Sequence, residues 1–320
     1  MAAAFLVPCR GGAEEIDSQK ASILGELAPI AGVQGKAKAY IKKAQEYDAQ
    51  KKYRQATDAY TEALAAGPNK KTKFEVYLRL GELELRRMQY ASAIEYLKTA
   101  AELYPKDEET HVRLARAYEE SDLKGFAEKE YLKVLKYRKK SFDASFGLAL
   151  LYYEEGFYTK AMSNFNKALD VNASLDVYRK TAACARKLND VDLALSILKQ
   201  VVLAGPVYED YISMGEIYEL KTRPAEAEKS YSLAMAADPG KKDSYLRLGV
   251  MYIDLGRFSD AEKVLKLSSS IKPVSGLDHF FLGVLYSKTG RPALAKSEMK
   301  EAGKLLDSVV IRNFIAFLSK

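Results

Sequence analysis

Asp243-Ser-Tyr-Leu-Arg-Leu-Gly-Val-Met-Tyr-Ile-Asp-Leu-Gly-Arg-Phe-Ser-Asp-Ala-Glu-Lys-Val-Leu265 holds two short helical patterns and the turn between them. Tyr245 lies four residues before Gly249 and Tyr252 three after it, so all three fall on one face of a 3.6-residue period. Gly256 suits the left-handed residue that closes a helix. Ala261 and Leu265 then open a second stripe, and Pro273, twelve residues beyond Ala261, ends it.

The same spacing occurs eight times. Ala44, Gly81, Ala115, Ala149, Ala182, Gly215, Gly249 and Gly283 are each followed twelve positions later by an alanine: Ala56, Ala93, Ala127, Ala161, Ala194, Ala227, Ala261 and Ala295. Successive units are offset by 37, 34, 34, 33, 33, 34 and 34 residues, which makes the chain a tandem array. Two helices cross closely only where the side chains between them are tiny, so each small residue marks a crossing. Tyr60, Leu97, Tyr131, Phe165, Leu198, Tyr231, Leu265 and Met299, four after each second-helix alanine, fill the space beside it. The prolines keep the register: Pro68, Pro105, Pro206, Pro239 and Pro273 follow second helices, while Pro224 and Pro292 fall in a first turn. Gly156, Asn189, Gly256 and Gly290 suit the turns inside units.

Composition agrees with an ordered array. Hydrophobic residues at 48% supply a continuous core, and no apolar run approaches the roughly 18 residues that cross a bilayer. The net charge of +7 is spread over 320 residues and favours acidic partners weakly. Cys9 and Cys184 form neither a disulfide framework nor a metal-ligand spacing. His111 and His279 both fall four residues before a small anchor, as core fillers. With no phosphate loop and no triad, the reading is a chain without catalytic residues, cofactor or metal.

The joint agreement of spacing, small residues, aromatics and prolines resembles the tetratricopeptide repeat family over roughly Ala37 to Leu306. The resemblance implies an all-α fold, a right-handed superhelical solenoid of about eight helix-turn-helix repeats that binds protein segments. It departs at Glu84, Ala185, Lys43 and Thr181 and at three extra residues around Lys70 to Thr72. The expected organisation is a tail with a capping stripe over 1–36, the array over 37–307 and an apolar helix over 308–320. That last helix hides in a partner or a second copy, or lies back on the final repeat.

In the resembling family the first helices line a concave groove, and the residues three and two before, one after and four after each anchor face it. The lane two before the anchors here holds Lys42, Arg79, Arg113, Gly147, Lys180, Ser213, Arg247 and Phe281. Two readings stand: a cationic strip for carboxylates of a bound segment, or a solvated face with internal pairs such as Arg79 with Glu82 and Arg116 with Glu119. A second set, Phe146, Leu150 and Tyr153 with Leu246, Val250, Ile253, Phe280, Phe281 and Val284, is expected to present apolar surface, either to a hydrophobic segment or helix of a partner or to the chain's own N-terminal stripe or C-terminal helix. The clamp of chaperone-binding members is mismatched at Ala183, Ser213 and Asp243 beside Arg179 and Arg247. Basic runs near second-helix ends suit the helix dipole better than nucleic acid.

The functional expectation is a protein-interaction scaffold that supports a larger complex. The alternative is a bacterial envelope lipoprotein, a structural component or carrier of an apolar ligand. Leu6-Val-Pro-Cys9 loosely resembles the end of a lipoprotein signal, with Pro8 where a small residue is wanted. Localisation is cytoplasmic by default, and periplasmic or envelope-anchored through Cys9 if residues precede Met1.

Overall fold

In the computed structural model the described residues are 35–306, and they form sixteen α-helices and no strand. The helices are α1 (35–49), α2 (Tyr53–Ala65), α3 (Lys70–Arg86), α4 (Tyr90–Leu103), α5 (Glu108–Glu120), α6 (Lys124–Tyr137), α7 (Phe142–Glu154) and α8 (Tyr158–Leu169). They continue with α9 (Leu175–Lys187), α10 (Val191–Ala204), α11 (Tyr208–Leu220), α12 (Pro224–Ala237), α13 (Asp243–Asp254), α14 (Phe258–Ser270), α15 (Gly276–Lys288) and α16 (Pro292–Leu305). Helices α1–α8 belong to one compact unit, ending at Val171, and α9–α16 to a second, beginning at Asn172. Within each unit the helices pack as four consecutive pairs, and each pair rests on the next. No helix among the described residues is long and apolar enough to cross a membrane.

Every expected crossing is buried. The twelve anchor alanines are 0–1% exposed, and Gly81, Gly215, Gly249 and Gly283 are buried with them. The close approach explains the glycines: a Cβ on Gly81 would stand 2.5 Å from Leu97 Cγ, one on Gly249 2.5 Å from Leu265 Cδ2, and one on Gly215 would overlap the Tyr231 ring. Each of these neighbours is the residue four after the paired alanine, so the small residue of one helix receives the bulky residue of the other.

The turn inside each repeat is the same everywhere. The residue seven after the first anchor has a left-handed backbone in all eight: Lys51, Met88, Asp122, Gly156, Asn189, Thr222, Gly256 and Gly290, with φ between 52° and 81°. The next residue donates its N–H to the carbonyl three after the anchor, as in Gln89 N to Glu84 O and Arg223 N to Tyr218 O at 2.8 Å. That bond closes a Schellman cap and satisfies a carbonyl the helix end leaves open. First helices start on side-chain caps such as Asn69, Asp107 and Ser141, and Pro224 and Pro292 stand in the first turns of α12 and α16.

Arg257 lies 4.3 Å from the Tyr252 ring centroid and its Nη1 reaches Glu228 at 2.6 Å, while Tyr252 donates to the same carboxylate at 2.7 Å. Arg291, Tyr286 and Glu262 repeat this one unit later. Hydrogen bonds from Arg291 and then Lys266 hold the Glu262 carboxyl down at about 2.

Candidate functional site

Some residues of the lanes that the resemblance assigns to the groove line one open cleft between α5 and α7. Arg116 and Glu119 of α5, one and four after Ala115, line a single cleft with Phe146, Gly147 and Leu150 of α7, which stand three and two before and one after Ala149. The cleft measures about 510 Å³ and includes Glu120, Asp122, Tyr131, Leu151 and Glu154. A larger groove of about 860 Å³ opens nearer the start of α5 and α7, lined by Val112, Arg113, Arg116 and Phe142 among charged neighbours.

The basic lane is largely spoken for. Arg79 Nη1 lies 2.6 Å from Glu82 Oε2, and Arg113 Nη2 2.6 Å from Glu82 Oε1, off the line that an N–H···O bond needs, so that contact is ionic. Arg113 also pairs with Glu109. Arg247 meets Glu216 and Asp243, each at 2.8 Å. Lys42 and Lys180 are exposed and form no ion pair among the described residues. Arg179, the clamp candidate, bonds Asp210 through Nε and Nη2 and also Gly205 O at 2.9 Å. The expected pair of Arg116 with Glu119 does not form: Arg116 faces Asp143 at 3.8 Å, and Glu119 accepts from the Tyr131 hydroxyl at 3.2 Å.

Three second helices carry tyrosine four after the alanine, and each meets an acid four after the first anchor. Tyr231 donates to Glu219 Oε2 at 2.6 Å, and the Asp48 charge acts on Tyr60. In both cases an arginine two before the next anchor also acts on the phenol, Arg247 on Tyr231 and Arg79 on Tyr60. At the third position, Glu119 with Tyr131, the residue two before the next anchor is Gly147. A Cβ there would stand 2.5 Å from Tyr131 Cζ. Burial and then the Glu119 charge push the Tyr131 phenol above its usual range. Burial also raises Glu119 to about 7, with Glu154 adding to the effect and the Tyr131 hydrogen bond and Arg116 opposing it.

The apolar lane is mixed. Phe146, Leu150, Tyr153, Leu246, Val250, Phe280, Phe281 and Val284 are half-buried and keep one side open. The Phe280 and Phe281 rings meet edge to face at 5.3 Å, and Phe146 stacks on Phe142 at 5.5 Å. Ile253 differs from the expectation: it is 4% exposed, because α13 packs on α15 as well as on α14.

The histidines sit in the core register. His111 is fully buried, with Nδ1 2.5 Å from Glu130 Oε2 and Nε2 3.1 Å from Pro105 O. His279 keeps 23% of its side chain exposed and meets Glu298 at 2.7 Å. No group of three or more metal-ligating side chains occurs among the described residues. Cys9, the tail over 1–34 and the apolar stretch over 308–320 lie outside them.

Sequence reasoning passed over Glu119, Tyr131 and Gly147 as a group, because Tyr131 reads as core and Gly147 as a gap in the basic lane. The available signal was the acid four after the anchor, shared with Asp48 and Glu219.

Models of the tetratricopeptide repeat match residues 41–108, 112–176 and 221–275, together more than half of the chain. Among solved structures, the C-terminal part of a repeat-containing protein from Cytophaga hutchinsonii aligns with a TM-score of 0.63 at 14% identity, covering 74% of this chain and 98% of that one. YrrB, described as a TPR protein with an unusual peptide-binding site, aligns with a TM-score of 0.51 at 22% identity over 60% of this chain and 97% of its own. At these identities the likeness speaks for the fold alone. No curated protein sequence matches the chain.

Proposed function

The chain is a tetratricopeptide repeat protein, and from that premise we propose that it is a non-catalytic scaffold that binds protein segments along the face lined by its first helices and supports assembly of a larger complex. The observation that carries this reading is the row of half-buried apolar side chains on that face, Leu246 and Val250 on α13 and Phe280, Phe281 and Val284 on α15. Apolar groups kept partly in water at regular positions on a rigid support offer area that a bound helix or extended segment removes from solvent, at about 25 cal/mol per Å². Arg79, Arg113 and Arg247 contribute less to reading an acidic partner, because their charges are matched by Glu82, Glu109, Glu216 and Asp243.

The test is quantitative affinity capture with the intact chain and with Phe280→Ser/Phe281→Glu, circular dichroism confirming that helicity is unchanged. Loss of a defined set of captured proteins supports the assignment. Capture of the same set at the same level removes it.

A further inference from the structure

Gly147 and Arg247 occupy the same position in their repeats, two before the anchors Ala149 and Gly249, and opposite each stands a tyrosine bonded to a glutamate: Tyr131 with Glu119, Tyr231 with Glu219. Around Tyr231 the chain supplies its own cation, since Arg247 acts on the phenol and reaches Glu216 at 2.8 Å. Around Tyr60 it does so again through Arg79. Around Tyr131 the position is glycine; the cation that acts on the phenol is Arg116 of α5, and a 510 Å³ cleft opens beside it. Glu119 makes no ion pair among the described residues, although it is the most buried of the acids on that cleft, Glu120, Asp122 and Glu154 being exposed. Arg116, one turn back on α5, acts on both Tyr131 and Glu119 but keeps 59% of its side chain in water, with Asp143 at 3.8 Å.

We propose that this cleft receives an arginine or lysine side chain of a bound protein segment, whose charge pairs with Glu119 and the neighbouring acids that Arg116 alone does not match, with apolar neighbours of that residue resting on Phe146 and Leu150. The inference rests on the scaffold reading above and gives it a chemistry: at the third and fourth repeats the partner is basic and apolar. The cleft leaves room for the incoming side chain, and Glu119, Glu120, Asp122 and Glu154 outnumber Arg116, so charge complementarity favours a cation and disfavours a carboxylate. A guanidinium can bond Glu119 in two-pronged geometry while its flat face lies on Phe146.

The occupant also makes binding depend on pH. The groups facing the Glu119 carboxyl are Arg116 and Glu120 on α5, Asp122 in the turn, Tyr131 on α6 and Glu154 on α7. Without ligand, burial keeps Glu119 near 7, so much of it is protonated at pH 6. A bound cation holds it ionised, and affinity rises from pH 6 to pH 8 by up to about tenfold.

The experiment is selection of random twelve-residue peptides displayed on phage against the immobilised intact chain, followed by fluorescence anisotropy with the most enriched peptide. The expected peptides carry arginine or lysine between apolar residues. Their binding weakens at least about tenfold in Glu119→Gln and in Gly147→Arg, and Glu119→Gln abolishes the pH dependence. Glu119→Gln preserves shape and decides the matter if Gly147→Arg fails to fold against Tyr131. Enriched peptides that lose binding in Phe146→Ser but carry no basic residue, or that ignore Glu119→Gln, overturn the cation site and leave the scaffold reading standing. No enriched peptide at all counts against both.

Discussion

Arg113 Nη2 of α5 stands 2.6 Å from Glu82 Oε1 of α3, an ion pair that joins two neighbouring repeats across a carboxylate only 6% exposed. Arg79 holds the other oxygen of the same carboxylate at 2.6 Å. A buried acid shared by two guanidiniums is a fastening between repeats, and loss of one guanidinium leaves the buried carboxylate with a single partner. Arg113→Ala is expected to lower unfolding free energy by about 2 kcal/mol, less than the 3–5 typical of a broken buried pair because Arg79 remains. Adding Glu82→Ala should recover much of that loss. Urea denaturation of the two single variants and the double variant measures the coupling, and strictly additive losses would show that no fastening exists.

The left-handed turn residues give a second expectation. Thr222 sits at φ 52° where Gly156, Gly256 and Gly290 occupy the equivalent place. A β-branched side chain crowds the backbone there, whereas glycine adopts the conformation without that contact. Thr222→Gly should therefore stabilise the chain by about 1 kcal/mol, the relief exceeding the extra chain entropy of glycine. Thermal unfolding should shift upward by about 2 °C; a downward shift would contradict strain at this turn.

The anchor glycines separate by what lies opposite them. A methyl group on Gly215 would run into the rigid ring of Tyr231, while one on Gly283 meets the terminal methyl of Met299 at 2.7 Å, a group that can swing aside. Gly215→Ala should cost about 1–3 kcal/mol by overpacking. Gly283→Ala should be nearly neutral, since alanine also favours the helix by up to about 1 kcal/mol. Equal effects in the two variants, read from chemical denaturation, would remove the link between anchor size and crossing distance.

These contrasts show what a sequence can carry. The eight crossings, the proline register and the chain's repeat family follow from residues a fixed distance apart, because helix pairs repeat their geometry whenever they repeat their spacing. Lys51, Met88 and Thr222 take the same turn as Gly156, although nothing in their chemistry asks for it; register alone places them. The site was harder to see. Helical spacing shows Arg79 beside Glu82, but Arg113 reaches Glu82 across 31 residues, and only stacked repeats bring the two together. Ile253 reads as exposed on its own helix and is covered by the next repeat's α15. The cleft at Gly147 becomes visible only when one repeat is laid against another, since its distinguishing mark is a side chain that the equivalent positions possess.

The last expectation concerns pH. A glutamate in an unfolded chain titrates near 4.3, whereas burial holds Glu119 near 7 in the folded protein. Between those values the folded state keeps a proton that the unfolded chain has released, so stability falls as pH rises through that window and the loss is complete above about pH 7. Asp278 acts in the opposite sense. Burial alone would raise it, but hydrogen bonds from Lys242, Ser268 and Ser275 more than offset that and hold its carboxyl below the usual range. Its contribution is present above about pH 4 and is lost as pH falls further. These two groups together therefore favour the folded state most near about pH 4 to 4.5. Glu119→Gln removes only the descending limb: the variant should gain about 1–2 kcal/mol over the parent between pH 5 and pH 8, less than full linkage because the cleft side of Glu119 is open to water. Urea titrations followed by circular dichroism at those two pH values test this. Parallel curves for parent and variant would mean that the Glu119 carboxyl is ionised throughout, and with it would go the pH dependence of any cation bound beside Gly147.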